Sequence, residues 1–226
     1  MSENNHFIAA AIDGPAGAGK STIARIAAKE LGFIYIDTGA MYRSIGLACL
    51  KSNIDVNDAE AVKSILPQTE ISIIFKDGEQ HILLNGKDVS DEIRTEKVSM
   101  SASSVSAIPA VRSFLLELQR SFAKENNVIM DGRDIGTVVL PDAQVKIFLT
   151  ASPESRARRR TDQLAEKGIE ADYKAVLEDI IKRDYNDTHR ETAPLKAADD
   201  AVLVDTTELT LEQSIAAISQ IIKEKL

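Results

Sequence analysis

The sequence has one cysteine, three histidines and no long apolar run. Each scarcity closes off a class of protein. The lone Cys49 excludes an intramolecular disulfide framework and suits a reducing compartment. With Ile45 and Leu47 as helical neighbours, it reads as a buried structural thiol rather than a nucleophile. His6, His81 and His189 are scattered, without the spacing of a metal site. The lack of a long apolar stretch removes a membrane span, and the first residues lack a signal-peptide pattern, so a cytoplasmic location is expected. Basic residues are outnumbered, with 27 lysines and arginines against 35 aspartates and glutamates and a net charge of −8. A chain of that sign is a poor binder of nucleic acid or of anionic membranes. Its arginines are nevertheless clustered, which points to a local anion site inside an acidic shell. At 226 residues it can bury a real core, as one domain or as one domain with an insert.

What is present is organised around Gly14-Pro15-Ala16-Gly17-Ala18-Gly19-Lys20-Ser21-Thr22, which fits the phosphate-binding pattern G-x-x-x-x-G-K-[ST]. An apolar run from Phe7 precedes it, and a helical pattern with Ile23, Ile26, Ala27 and Leu31 on one face follows. Glycines let backbone N–H groups approach a polyphosphate without a Cβ in the way. The helix beginning near Lys20 adds its positive dipole end. In this motif the lysine brings a point charge to the β- and γ-phosphates, and the Ser21 hydroxyl is placed to ligate Mg²⁺.

Along the chain, short apolar strands alternate with helices. Phe33–Ile36 and Val128–Met130 read as strands, as do Val145–Leu149 and Ala201–Val204. Helices are expected over about 40–51, 59–66, from Pro109 with Val111, Phe114, Leu115, Leu118 and Phe122 as its apolar face, and from Pro153 to a stop at Gly168. Another should run from about Tyr173, with Val176, Leu177, Ile180 and Ile181 apolar, and Thr210-x-x-Gln213 is a capping box for the last one. This is the pattern of a parallel sheet covered on both faces. One region breaks it. Short β-type runs between Ile71 and Val89, divided by Asp77-Gly78 and Asn85-Gly86 turns, predict a small antiparallel insert over about 68–95. The serine-rich segment 99–106 follows with no element assigned.

Beyond the loop, charged residues outside apolar faces leave two readings open. Arg43, Arg112, Arg133 and Arg190 are either bidentate anion ligands or solvated surface charges. The run Arg156–Arg160 is either a wet helix face or a mobile basic lid. Asp131, following an apolar strand, suits an acid that orients Mg²⁺-bound water, while Asp134 and Asp187 suit acceptors from a base amine or a sugar hydroxyl. Each carboxylate also fits a turn or cap.

Taken in order, Ile12–Thr22, Asp37-Thr-Gly-Ala-Met-Tyr-Arg43, Asp131-Gly-Arg-Asp-Ile-Gly-Thr137 and Arg183-Asp-x-x-Asp187-x-x-Arg190 resemble the bacterial cytidylate kinases, members of the nucleoside monophosphate kinases. The resemblance covers nearly the whole chain, insert included. It implies a three-layer α/β P-loop kinase fold with a five-stranded parallel sheet, a small antiparallel β insert and a helical lid. It implies one domain, with a core over about 1–37, 107–154 and 191–226, a monophosphate-binding region over about 38–106 and a lid over about 155–190. The implied reaction moves the γ-phosphoryl group of ATP, with Mg²⁺, to CMP or dCMP, in a monomer. Carried over residue by residue, ATP falls on Gly14–Thr22. The acceptor phosphate falls on Thr38, Arg43, Arg133 and Arg190, with Tyr42 in the same motif. Cytosine falls on Ser103, Arg112 and Asp134, and the sugar on Arg183 and Asp187. Lys20, Arg133, Arg159 and Arg190 are the implied catalytic set, Arg159 being one choice from the lid run. Position 38 is threonine where other members carry serine, which keeps the hydroxyl. Two other readings stand beside this one: a kinase of a small metabolite such as shikimate or gluconate, and a nucleotide-dependent regulatory protein with no acceptor.

Overall fold

The computed structural model describes residues 7–76, 79–166 and 168–225. The Asp77-Gly78 turn and residues 1–6, His6 among them, lie outside the described residues. The chain divides into two compact units, one of residues 1–35 and 123–226, the other of residues 36–122.

The first unit carries a five-stranded parallel sheet, whose second strand in chain order runs on past Tyr35 into the second unit. Its strands are β1 (Ala9–Asp13), β2 (Ile34–Asp37), β6 (Val128–Gly132), β7 (Val145–Thr150) and β8 (Val202–Asp205), in the order β2-β6-β1-β7-β8. The central strand β1 is buried along its whole length and pairs with β6 on one side and β7 on the other. Its three alanines let the flanking helices approach closely. Helix α1 (Lys20–Leu31) lays Ile23, Ala24, Ala27 and Ala28 on Ile12, Ile129, Ile147 and Leu149, and Ile218 and Ile222 of α8 (Leu211–Lys223) complete this core. The Thr210/Gln213 capping box forms as expected, each side chain bonding the other's backbone N–H. Strand β8 is an edge, and Leu203 is 65% exposed.

The second unit contains α2 (Thr38–Lys51), α3 (Ala59–Ile65) and the antiparallel strands β3 (Ile71–Lys76), β4 (Glu79–Leu84) and β5 (Lys87–Asp88). This is the expected insert. Asn85 and Gly86 both have positive φ, 50° and 76°, the geometry of a type I′ hairpin turn. Helices α4 (Glu96–Ser106) and α5 (Pro109–Glu125) follow, the last residues of α5 lying in the first unit. Cys49 is fully buried on α2. Gly46 lets α2 press against α4, since a Cβ there would sit 3.0 Å from the Ser101 Cβ.

The structure corrects the sequence reading in several places. The serine-rich segment is helical, because Thr95 caps it, Val98, Ala102 and Val105 make an apolar stripe, and Ser99 and Ser101 return their hydroxyls to carbonyls one turn back. On α5 the buried face is Val111, Arg112, Leu115 and Gln119, whereas Phe114 is 36% exposed. The register is thus rotated towards Arg112. Helix α7 (Tyr173–His189) runs through the Arg183–Asp187 segment, and its Ile181 faces outward while Ile180 is buried. Helix α6 (Pro153–Glu166) starts at Pro153 as expected, and the Ser152 hydroxyl before it accepts from Ser155 N–H.

Candidate active site

At the carboxyl end of β1 the chain enters the phosphate-binding loop. Gly14 has φ 152°, and any Cβ there would overlap the Leu149 carbonyl oxygen. Gly17 and Gly19 are left-handed, at 74° and 86°. Only glycine meets these demands without strain. Lys20 is buried, and its Nζ donates to the Pro15 carbonyl oxygen at 2.8 Å, folding the side chain back over the loop. Burial, then the nearby Arg133 charge, push its ammonium down to about 7 against the pull of Asp131, Asp13 and Asp187. Ser21 Oγ donates to Asp131 Oδ2 at 2.9 Å, and Tyr35 donates its hydroxyl to the other oxygen, also at 2.9 Å. Asp131 lies within β6 rather than after it. A hydroxyl and a carboxylate held together beside the loop form the oxygen-rich set that suits Mg²⁺.

Asp13, the last residue of β1, went unread in the sequence. Its two oxygens accept from Ile135 N–H and Gly136 N–H, each at 2.8 Å. This fixes the π-helical turn Ile135–Val139 that follows Arg133 and Asp134. Burial pushes the Asp13 carboxyl up to about 6, although both amide donors favour the anion.

Around that turn the structure brings together four of the expected residues. Arg133 Nε donates to Asp187 Oδ2 at 2.7 Å. Burial disfavours the Arg133 charge, but Asp187 together with Asp131 and Asp13 outweighs it and holds the guanidinium above the ordinary arginine range. Arg190 Nη2 stands 3.6 Å from Asp134 Oδ1, both side chains more than nine-tenths buried, and its Nε donates to the Ala193 carbonyl. Arg183 pairs instead with Asp179, one turn back on α7.

The arginine run of α6 divides. Arg156 is neither wet nor free to swing. It is 2% exposed, donates through Nε to Ala151 O and through Nη1 to Ala16 O, each at 2.9 Å, and grips Asp184 of α7 with both terminal nitrogens. Arg159 donates to the carbonyl and hydroxyl of Thr206, while Arg158 and Arg160 are exposed.

In the second unit, Asp37 caps α2 by accepting from Ala40 N–H and holds Arg43 Nη2 at 2.7 Å. Thr38 is buried beside it, and Arg43 Nε has no hydrogen-bond partner among the described residues. Arg112 lies over the Tyr42 ring, 5.9 Å from its centroid, and reaches the Ser106 carbonyl. Ser103 is half-buried on α4.

Residues 10–224 match the profile of one family, described as cytidylate kinase. The chain belongs to the cytidylate kinase family. A cytidylate kinase of Lactobacillus johnsonii is 52% identical over 98% of this chain and 96% of its own. One from Carboxydothermus hydrogenoformans is 54% identical over 95% and 97%. A solved structure of an uncharacterized Eubacterium ventriosum protein shares the fold, with TM-score 0.52 over 96% of this chain and 98% of its own, at 13% identity. The cytidylate kinase resemblance read from the ordered motifs therefore holds across the chain.

Sequence reasoning missed Asp13, Asp37, Asp184 and the anchored state of Arg156. For Asp13 a signal existed: a carboxylate closing an apolar strand must find donors. Asp37 sits in the N-cap position before a helix, which also signals a cap. Arg156 and Asp184 carried none, since charges on helices ordinarily face water.

Proposed function

We propose that the chain transfers the γ-phosphoryl group of ATP to CMP or dCMP, giving ADP and CDP or dCDP. The observation that carries this reading is near-full-length identity above one half to cytidylate kinases, together with an intact loop in which Ser21 is bonded to Asp131. The triphosphate binds Gly14–Thr22. Ser21 and Asp131 are the residues that would hold Mg²⁺, which would supply positive charge to neutralise the phosphates. Thr38, Tyr42, Arg43, Arg133 and Arg190 take the acceptor phosphate, Ser103, Arg112 and Asp134 the cytosine, and Arg183 and Asp187 the sugar. Arg159 belongs to the lid and turns to the transferring group.

The acceptor oxygen is already anionic and needs no strong base. It attacks the γ-phosphorus, the bond to the bridging oxygen breaks, and ADP leaves. Lys20 and the arginines supply position and charge. Closure of the lid and of the insert-bearing region excludes water and suppresses ATP hydrolysis. The chain acts as a cytoplasmic monomer. A coupled assay of ADP release with CMP, dCMP, UMP, AMP, shikimate or no acceptor tests the reading. CMP and dCMP should give the highest kcat/KM. A preference for shikimate, or turnover indifferent to every monophosphate, would overturn it.

A further inference from the structure

Within the second unit, a glutamine of the β insert is bonded to the segment that carries an acceptor-phosphate arginine. Gln80, on β4, accepts the Asp37 backbone N–H on its side-chain Oε1 at 2.9 Å. Asp37 then divides its carboxylate. Oδ1 is fixed on the α2 terminus through Ala40 N–H at 2.9 Å, and Oδ2 holds Arg43 Nη2 at 2.7 Å. Gly39 belongs to the same arrangement. A Cβ there would lie 3.0 Å from Arg43 Nη1 and 3.1 Å from Asp37 Oδ1, so a side chain would press on the ion pair. Three different bonds therefore meet at Asp37, and the guanidinium is held at one nitrogen while its buried Nε is left without a partner among the described residues.

We infer that Gln80 and Asp37 are positioning residues that set the orientation of Arg43, so that the β insert contributes to acceptor-phosphate binding through a side chain that need not touch the phosphate. This rests on the proposed contact between Arg43 and that phosphate. The physical basis is rotamer freedom. An arginine has several soft torsions, and an unheld guanidinium loses that freedom only when the anion arrives. A carboxylate anchored on a helix terminus removes much of the freedom beforehand. The terminus is itself kept in place by the Gln80 bond to the preceding backbone. Asp37 could instead be no more than a helix cap, and a substitution separates the two roles. Asparagine caps about as well as aspartate but carries no charge to hold Arg43.

The experiment compares Asp37→Asn, Gln80→Leu, Gln80→Glu and Arg43→Ala, by steady-state kinetics in CMP and in ATP and by thermal melting. Asp37→Asn should raise KM for CMP about tenfold, the loss of one charge-assisted bond, with KM for ATP and Tm essentially unchanged. Gln80→Leu should raise KM for CMP by a smaller factor of about three, and Gln80→Glu, which keeps an acceptor, should recover part of it. A rise in CMP KM for Arg43→Ala with none for Asp37→Asn and Gln80→Leu would overturn the positioning roles alone. An Arg43→Ala variant with unchanged CMP KM would overturn the Arg43 contact beneath them. Equal rises for CMP and ATP, or losses that track Tm, would show a structural role and likewise overturn the inference.

Discussion

Arg133 and Asp187 meet at 2.7 Å, Nε to Oδ2, although 54 positions separate them in sequence. Arg133 directly follows β6 and Asp187 rides on α7. Asp187 is 11% exposed at its side chain and Arg133 29%, so the pair is partly withdrawn from water. Its strength should exceed that of a surface pair. A double-mutant cycle of Arg133→Ala and Asp187→Ala, read by urea unfolding, should give a coupling of about 1–2 kcal/mol. A coupling within about 0.3 kcal/mol of zero would show that the contact contributes nothing.

Lys20→Ala should reduce kcat by at least about a hundredfold, the order expected when a group that stabilises transferring charge is removed. Stability should not fall, because the ammonium is buried against its preference, with Arg133 adding repulsion. Circular dichroism and melting establish the fold, and stopped-time assays the turnover. A folded variant with near-normal turnover would remove Lys20 from the catalytic set.

Cytosine offers an exocyclic amine beside N3 and O2, whereas uracil offers an oxygen and a proton at those places. Asp134, 4% exposed, would be left desolvated and unpaired against uracil. Asp134→Ala should therefore narrow the CMP-to-UMP ratio of kcat/KM by about 1–3 kcal/mol, or roughly 5- to 150-fold, at saturating ATP. Should activity fall with the ratio unchanged, Asp134 serves instead to hold Arg190.

Asp13 gives a pH dependence of definite sign. Its folded pKa of about 6 lies above the ordinary 3.8, so the native state retains the proton more readily than the unfolded chain. Its contribution to stability is greatest in acid, below the unfolded pKa, and is lost as pH rises through 6. Between pH 4.5 and 7.5 the loss is about 2 kcal/mol. Carboxyl-carbon NMR, assigned with Asp13→Asn, should show one aspartate titrating near 6. Titration of that resonance near 4 would contradict the environment described for it.

How much was legible beforehand depended on range in sequence. The phosphate-binding loop, the Asn85-Gly86 hairpin and the Thr210 capping box are local, and local chemistry makes them readable. The five parallel strands followed from the rhythm of apolar runs and the insert from its turns, whereas the order in which the strands pair did not. The Asp13 clamp was not readable, because it needs β1 and β6 to be neighbours before Ile135 and Gly136 come within reach. Arg112 and Arg156 misled for a common reason. Helical periodicity assigns charge to the wet face and cannot foresee a guanidinium buried on carbonyl and carboxylate partners. The helix over 96–106 was missed because serine dominates its composition, and the hydroxyls that weaken helix propensity are turned back onto its own carbonyls.

The Arg156 anchor has a mechanical consequence. With one guanidinium bolted to Ala16, Ala151 and Asp184, the α6–α7 hairpin has a fixed fulcrum at its root. The closing stroke proposed for the lid then belongs to the outer arm of the lever, from about Thr161 to Tyr173. Native-state amide exchange should follow the same gradient, slow around Arg156 and Asp184 and fast towards Gly168. Asp184→Ala would loosen the root and let the whole hairpin exchange as one.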